Sequence, residues 1–119
     1  MELQVIANQM KIRIKALTDS RSTLKDLAIK KANAITEYEK KVAITIIKLR
    51  NGMEAELEGE VISNPPVTVI DKVSKGMCWK EKLAMEQAIA MYHSETICMN
   101  ALSVEINGFQ SLNKYVTEV

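Results

Sequence analysis

The two prolines of this chain are adjacent, Pro65-Pro66, and every other position is free of proline. Neither can sit inside a helix, because each lacks the N–H donor and its ring clashes with the preceding turn. Asn64, just before them, is expected in extended geometry for the same steric reason. The chain must turn here, and the stretches on either side are free to be long helices. Only four glycines join the prolines as breakers, so the elements are expected to be few and long.

The apolar residues point the same way. Seven Met, one Phe, one Trp and three Tyr accompany many Ile, Leu and Ala, a mix that favours helices packed through aliphatic side chains over a β-sandwich. The expected fold is all-α: a long antiparallel helical hairpin, coiled-coil-like, with a short helix in the connector, assembled into a helical oligomer. At 119 residues it is read as one domain, 1–119. Its parts are a helical run over 2–57, bent or unbroken near 18–23, a connector over 59–76 and a second run over 78–116.

From Leu3 a heptad can be written with seam columns Leu3, Met10, Leu17, Leu24, Lys31, Tyr38, Thr45 and Ala7, Ile14, Arg21, Ala28, Ile35, Val42, Leu49. A single helix of that length would run roughly 70 Å at about 1.5 Å per residue. Thr18-Asp19-Ser20-Arg21-Ser22-Thr23 is its weak point, since such residues compete for backbone hydrogen bonds. The heptad phase nevertheless continues across it. Arg21 and Lys31 are expected to cover the seam with their stems and extend their charges to water.

Arg50-Asn51-Gly52 carries the first stop signal, although Met53–Glu58 can add helical turns before Gly59. The alternating Glu54, Glu56, Glu58 and Glu60 read as a solvated loop and not as a metal site. After the prolines, Thr68 with Asp71 three positions on resembles a capping box, and Gly76 supplies a stop. A short helix is predicted over Val69–Lys75, burying Val69, Ile70 and Val73.

The second run projects its apolar residues onto two arcs. One holds Leu83, Ala90, Ile97, Ala101, Val104, Gly108 and Leu112; the other holds Met85, Tyr92, Met99, Leu102, Ile106 and Phe109, with Ala88. A two-helix hairpin needs only one of them, so the surplus is expected to bury against an N-terminal helix folded back or against another subunit; the homo-oligomer is the favoured reading, with the Met85–Phe109 set as its expected interface. Glu86, His93, Asn100, Asn107 and Lys114 form a third stripe, expected to face solvent.

Formal net charge is +1, which gives no support to nucleic-acid binding as the main role. Cys78 and Cys98 lack paired spacing or nearby His partners, so neither zinc nor a redox CxxC is indicated; two reduced thiols in a cytoplasmic protein are expected. No apolar run approaches about 20 residues, so no membrane span is expected. His93 is the single histidine and pairs with no nucleophile by sequence. No enzyme, metal or cofactor is expected. The best binding candidates gather near the hairpin tip: Arg50, Thr68, Lys72, Lys75, Trp79 and Lys80, flanked by Lys48 and Lys82. Cations beside an aromatic face suit a phosphorylated or nucleotide-type ligand.

Tyr38-Glu39-Lys40-Lys41, Ile47-Lys48-Leu49-Arg50, Pro66-Val67-Thr68-Val69-Ile70 and Lys75-Gly76, followed by a long helix with Tyr92 and Asn107, resemble small helical proteins encoded by bacteriophages and prophages of Gram-positive bacteria. The resemblance covers about residues 30 to 115 and departs from the pattern over Glu54–Asn64. It brings no established activity. It implies a protein made in the cytoplasm of a bacterial host, of a sort that engages a host protein or host signal molecule. The expected function is therefore a non-enzymatic, phage-encoded binding protein that counteracts host defence by sequestering a nucleotide signal or blocking a defence protein. An accessory of phage DNA replication or recombination and a structural coiled-coil assembly protein are the alternatives.

Overall fold

Helix-forming side chains dominate from Leu3 to Arg50 and again from Trp79 onward, and the computed structural model, which describes residues 2–118, has its two long helices there. The extreme ends of the expected 1–119 domain, Met1 and Val119, lie outside the described residues. Helix α1 spans Leu3–Arg50. A β-hairpin follows, with β1 at Ala55–Leu57 and β2 at Glu60–Ile62. A 3₁₀ turn at Val67–Val69 leads into α2, Ile70–Met77, and then into α3, Trp79–Glu118. The fold is the expected all-α hairpin, with one small sheet added. The chain forms two compact units: one of residues up to Ile29 together with Ala90 onward, the other of Lys30–Ile89.

In the first unit the two helices run antiparallel. Arg13 Nε donates to Glu105 Oε2 at 3.0 Å, and seven residues further along α1, Ser20 Oγ donates to Glu95 Oε1. The inward column of α1 here is Ile6, Ser20 and Leu27, all buried, with Arg13 half-buried, beside the half-buried Met10, Leu17 and Leu24. This corrects one of the two expected columns, because Ala7, Ile14 and Arg21 are exposed. The polar members of the true column are satisfied individually. The Arg13 guanidinium lies 4.6 Å from the centre of the Phe109 ring, and it also reaches the Gln9 side chain. The helix runs unbroken through 18–23 because the competing hydroxyls find partners that leave the ladder intact. Thr18 Oγ1 donates to the Ile14 carbonyl, and Ser20 is taken up by Glu95.

In the second unit α1 buries Val42, Thr45 and Leu49 and half-buries Lys31, Ile35 and Tyr38, which are the expected columns. The difference in phase has a geometric cause. A helix with 3.6 residues per turn drifts by about 20° per heptad against a seven-residue repeat, so over six heptads the buried column moves by about one position. The pairing is again antiparallel: Lys41 bonds to Glu81, and Thr45 Oγ1 lies 3.8 Å from Cys78 Sγ. Ile70, Ser74 and Cys78, one turn apart, are almost fully buried together with Leu49.

The connector departs from expectation in four places. The helix does not extend to 57; it ends at Arg50 in a Schellman motif, in which Met53 N–H donates to the Lys48 carbonyl and Gly52 N–H to that of Leu49. Gly52 takes the positive φ of 72° that this motif needs. Glu58 and Gly59, at φ 50° and 83°, make a two-residue turn of the mirror-image type that matches strand twist, so Met53–Glu58 leads into a hairpin and not into further helix. Asn64 is left-handed at φ 48°, a conformation asparagine tolerates, instead of extended. Thr68 caps nothing: it sits within the 3₁₀ turn, α2 begins one residue later than predicted and runs through Gly76, and Val69 is exposed while Ser74 takes a core place.

The seam phase is testable within one turn of α1. Leu27 is 8% exposed and Ile29 61%. Leu27→Ala is expected to cost about 2–5 kcal/mol in urea unfolding, as for a buried aliphatic truncation, whereas Ile29→Ala stays within about 0.5 kcal/mol. Equal losses at the two positions would refute the phase described for the first unit.

A candidate binding cleft beneath the hairpin

The period-two pattern Glu54-Ala55-Glu56-Leu57-Glu58 makes β1, and Gly52 turns it back after α1 ends. β1 pairs with β2 antiparallel, Ala55 opposite Ile62, Glu56 opposite Val61 and Leu57 opposite Glu60. Within the second unit this places the whole segment Glu54–Glu58 along a cleft of about 370 Å³. The opposite wall carries Lys41, Thr45 and Lys48, spaced four and three residues apart on one face of α1. Met77, Trp79, Lys80 and Glu81 close it.

The electrostatics of the cleft are mixed. Lys41 Nζ donates to Glu81 Oε1, and that hydrogen bond is the main reason the Lys41 ammonium titrates above its ordinary range. The same bond holds the Glu81 carboxyl below its ordinary range, against the opposing effect of its desolvation. The other oxygen of Glu81, Oε2, is buried and accepts no hydrogen bond. Lys80 Nζ lies 5.6 Å from the centre of the Trp79 ring, near enough for a weak cation–π attraction. With Lys41 and Glu81 paired, the other charged residues that line the cleft are Glu54, Glu56 and Glu58 together with Lys48 and Lys80.

The expected tip residues therefore divide. Trp79 and Lys80 line the cleft, and so does Lys48. Arg50 is turned toward Asp71, 3.4 Å away, in an exposed pair. Thr68, Lys72 and Lys75 are exposed and do not line the cleft. Sequence reasoning missed Lys41, Thr45, Met77, Glu81 and the β1 glutamates. The signal for β1 was present in its strict alternation, but a Glu-Gly turn lacks the Asn-Gly or Asp-Gly signature that announces such a hairpin.

The expected oligomer residues lie on the inward side of α3, where Ile106 is buried and the others are half-buried. In the first unit Tyr92, Met99, Leu102, Ile106 and Phe109 lie on the partly or fully buried face of α3; in the second, Met85 is half-buried. The reason is the seam of α3, which repeats as 81, 85, 88, 92, 95, 99, 102, 106 and 109 with regular three- and four-residue steps. The other arc is the outer one. Ile97 and Val104 are 59% and 70% exposed, with Ala90, Ala101 and Gly108 exposed beside them. Glu86, His93, Asn100, Asn107 and Lys114 are exposed, as expected for a solvent-facing stripe. Tyr92 and Met99 also floor an open groove in the first unit, rimmed by Arg21 and Lys25. Among the described residues no cluster of His, Cys, Asp or Glu is arranged to hold a metal ion, and no helix is long and apolar enough to cross a membrane.

The Lys41–Glu81 pair has a defined pH signature. Because the Glu81 pKa is lowered on folding, its contribution is present above pH 4.5 and lost as pH falls through the lower folded value. Because that of Lys41 is raised, its contribution is present below pH 10.5 and lost above the folded value. A double-mutant cycle with Lys41→Met and Glu81→Gln is expected to give a coupling of about 0.5–1 kcal/mol near neutral pH. Denaturant titrations repeated down the acid limb should see that coupling vanish; a coupling that persists there would contradict the assignment.

Comparison with protein-family models, with curated proteins and with solved structures gives no match.

Proposed function

We propose that this chain is a non-catalytic binding protein that engages a host component in a bacterial cell, in the setting of a phage or prophage. The phage setting is supported only by the resemblance carried by Tyr38–Lys41, Ile47–Arg50, Pro66–Ile70, Lys75-Gly76, Tyr92 and Asn107, of which the connector residues are the sharpest part. The binding role is supported by one observation: the hairpin, α1 and α3 of the second unit enclose a cleft that holds the only tryptophan of the chain. Of the two modes of host engagement, blocking a protein is better supported than sequestering a nucleotide. A nucleotide would bring its phosphates beside Glu54, Glu56 and Glu58, and the lysines expected to receive them, Lys72 and Lys75, do not line the cleft.

In affinity capture from a host lysate, the wild-type chain should retain one defined protein and Trp79→Ala should lose it. Common nucleotides should leave the melting temperature within about 1 °C, because a ligand that does not bind the folded state cannot stabilise it. A clear nucleotide-dependent rise in melting temperature, lost in Trp79→Ala, would replace the protein-blocking mode by nucleotide sequestration.

Self-association is the second part of the reading, supported by the outer arc of α3 in the first unit. Ile97 and Val104 with the small residues Ala90, Ala101 and Gly108 leave an apolar strip on which another helix can lie closely. Light scattering at micromolar concentration should give a mass above 13.3 kDa. Val104→Glu should lower that mass to the monomer without loss of helical circular dichroism. A monomeric wild-type chain would end this part of the reading.

A further inference from the structure

We propose that the free edge of β1 is a docking site for an extended, basic peptide segment of the protein partner, which adds to the hairpin as a third strand. This rests on the binding role proposed for the cleft and specifies how the partner is held. Among the described residues the sheet has two strands, so one edge of β1 is left unpaired by them. That edge borders the cleft, since every residue from Glu54 to Glu58 lines it and none of β2 does.

The register shows which backbone groups are on offer. A two-residue turn at Glu58-Gly59 is closed by a hydrogen-bonded pair, here Leu57 and Glu60. Ladder bonds alternate along an antiparallel pair, so Glu56, opposite Val61, belongs to the non-bonded pair. Its N–H and C=O therefore point away from β2, toward the cleft. An added strand would lie about 4.8 Å from β1 and receive those groups. Main-chain bonds then give affinity, and the side chains around the groove give selectivity.

Charge identifies the segment. The incoming strand runs beside Glu54, Glu56 and Glu58, all three of which line the cleft. Lysine or arginine side chains on that strand are the complement to such a row of carboxylates. Lys80 already occupies the neighbourhood of the Trp79 ring, so an added cation is met by the carboxylates and the apolar part of the segment by Leu57, Ala55 and Met77.

Trp79, unique in the chain, makes the test direct. Its fluorescence is followed while a capped hexapeptide of alternating valine and lysine is added, alongside the same peptide N-methylated on alternate residues and a valine–glutamate version. The expected result is a saturable change with the first peptide, and binding about tenfold weaker or worse with the other two, the loss of one to two backbone or charge-assisted hydrogen bonds. Glu56→Pro, which removes the outward N–H without touching a β1–β2 bond, should weaken the first peptide by a similar factor. Glu56→Lys, which keeps the strand, should reverse the preference between the lysine and glutamate peptides. Equal binding of the N-methylated peptide would show attraction by charge alone and overturn strand addition. So would the absence of saturable binding: if Trp79-dependent capture of a host protein succeeds all the same, only strand addition falls, and if capture fails too, both readings fall.

Discussion

Gly52 determines more of this structure than its size suggests. A left-handed residue must follow Arg50 for the Schellman bonds from Met53 to Lys48 and from Gly52 to Leu49 to form. Any side chain at that φ costs roughly 1–2 kcal/mol. With the stop in place the next residues leave the helix axis, and the alternating segment Glu54–Glu58 turns back as β1 on the second unit. Without it, Met53–Glu58 has the composition to continue α1, and β1 would be lost with the cleft it borders. The glycine sets where helix ends and sheet begins, and the cleft is a consequence of that placement.

The pairing of the helices depends on a thin seam. A pair of helices buries one stripe of each, so single positions carry much of the packing, and the first unit spends two of them on polar residues. Ser20, buried, and Arg13, half-buried, occupy the seam because each finds a carboxylate across it, Glu95 and Glu105, and Arg13 also finds the face of Phe109. A buried polar group without such a partner is costly, whereas a satisfied one fixes which residues oppose each other. We read these two pairs as register marks: sliding the helices by one turn would leave Ser20 and Arg13 facing apolar residues.

Much of this was legible from the residues. The heptad columns through Met10, Tyr38 and Thr45, the long helices and the break at Pro65-Pro66 follow from periodicity and steric exclusion, which act locally. The second column in the first unit was not legible, because Ile6, Arg13, Ser20 and Leu27 read as half polar while Ala7 and Ile14 look apolar. Only the cross-seam partners reveal why the polar column wins. The hairpin was missed for a related reason. Glu54, Glu56 and Glu58 are poor strand formers by composition, and their alternation was weighed less than their charge. The cleft depends on both, so Lys48 and Lys80 were expected near it but Lys41 and the glutamates were not.

That imbalance alters the chemistry of the tip. Read by sequence, Arg50, Lys72, Lys75 and Lys80 make a basic cluster suited to phosphate. In the structure Arg50 faces Asp71, and Lys72 and Lys75 are exposed away from the cleft lining. The cleft is lined by Lys41, already held by Glu81, by Lys48 and Lys80, and by three more glutamates. A polyanion entering such a site meets repulsion at the wall that also offers free backbone groups. A cationic strand meets attraction at the same wall, and the desolvation of its main chain is offset by the edge of β1. The sign of the charge beside an unpaired strand edge thus decides between a phosphate site and a peptide site, and here it favours the peptide.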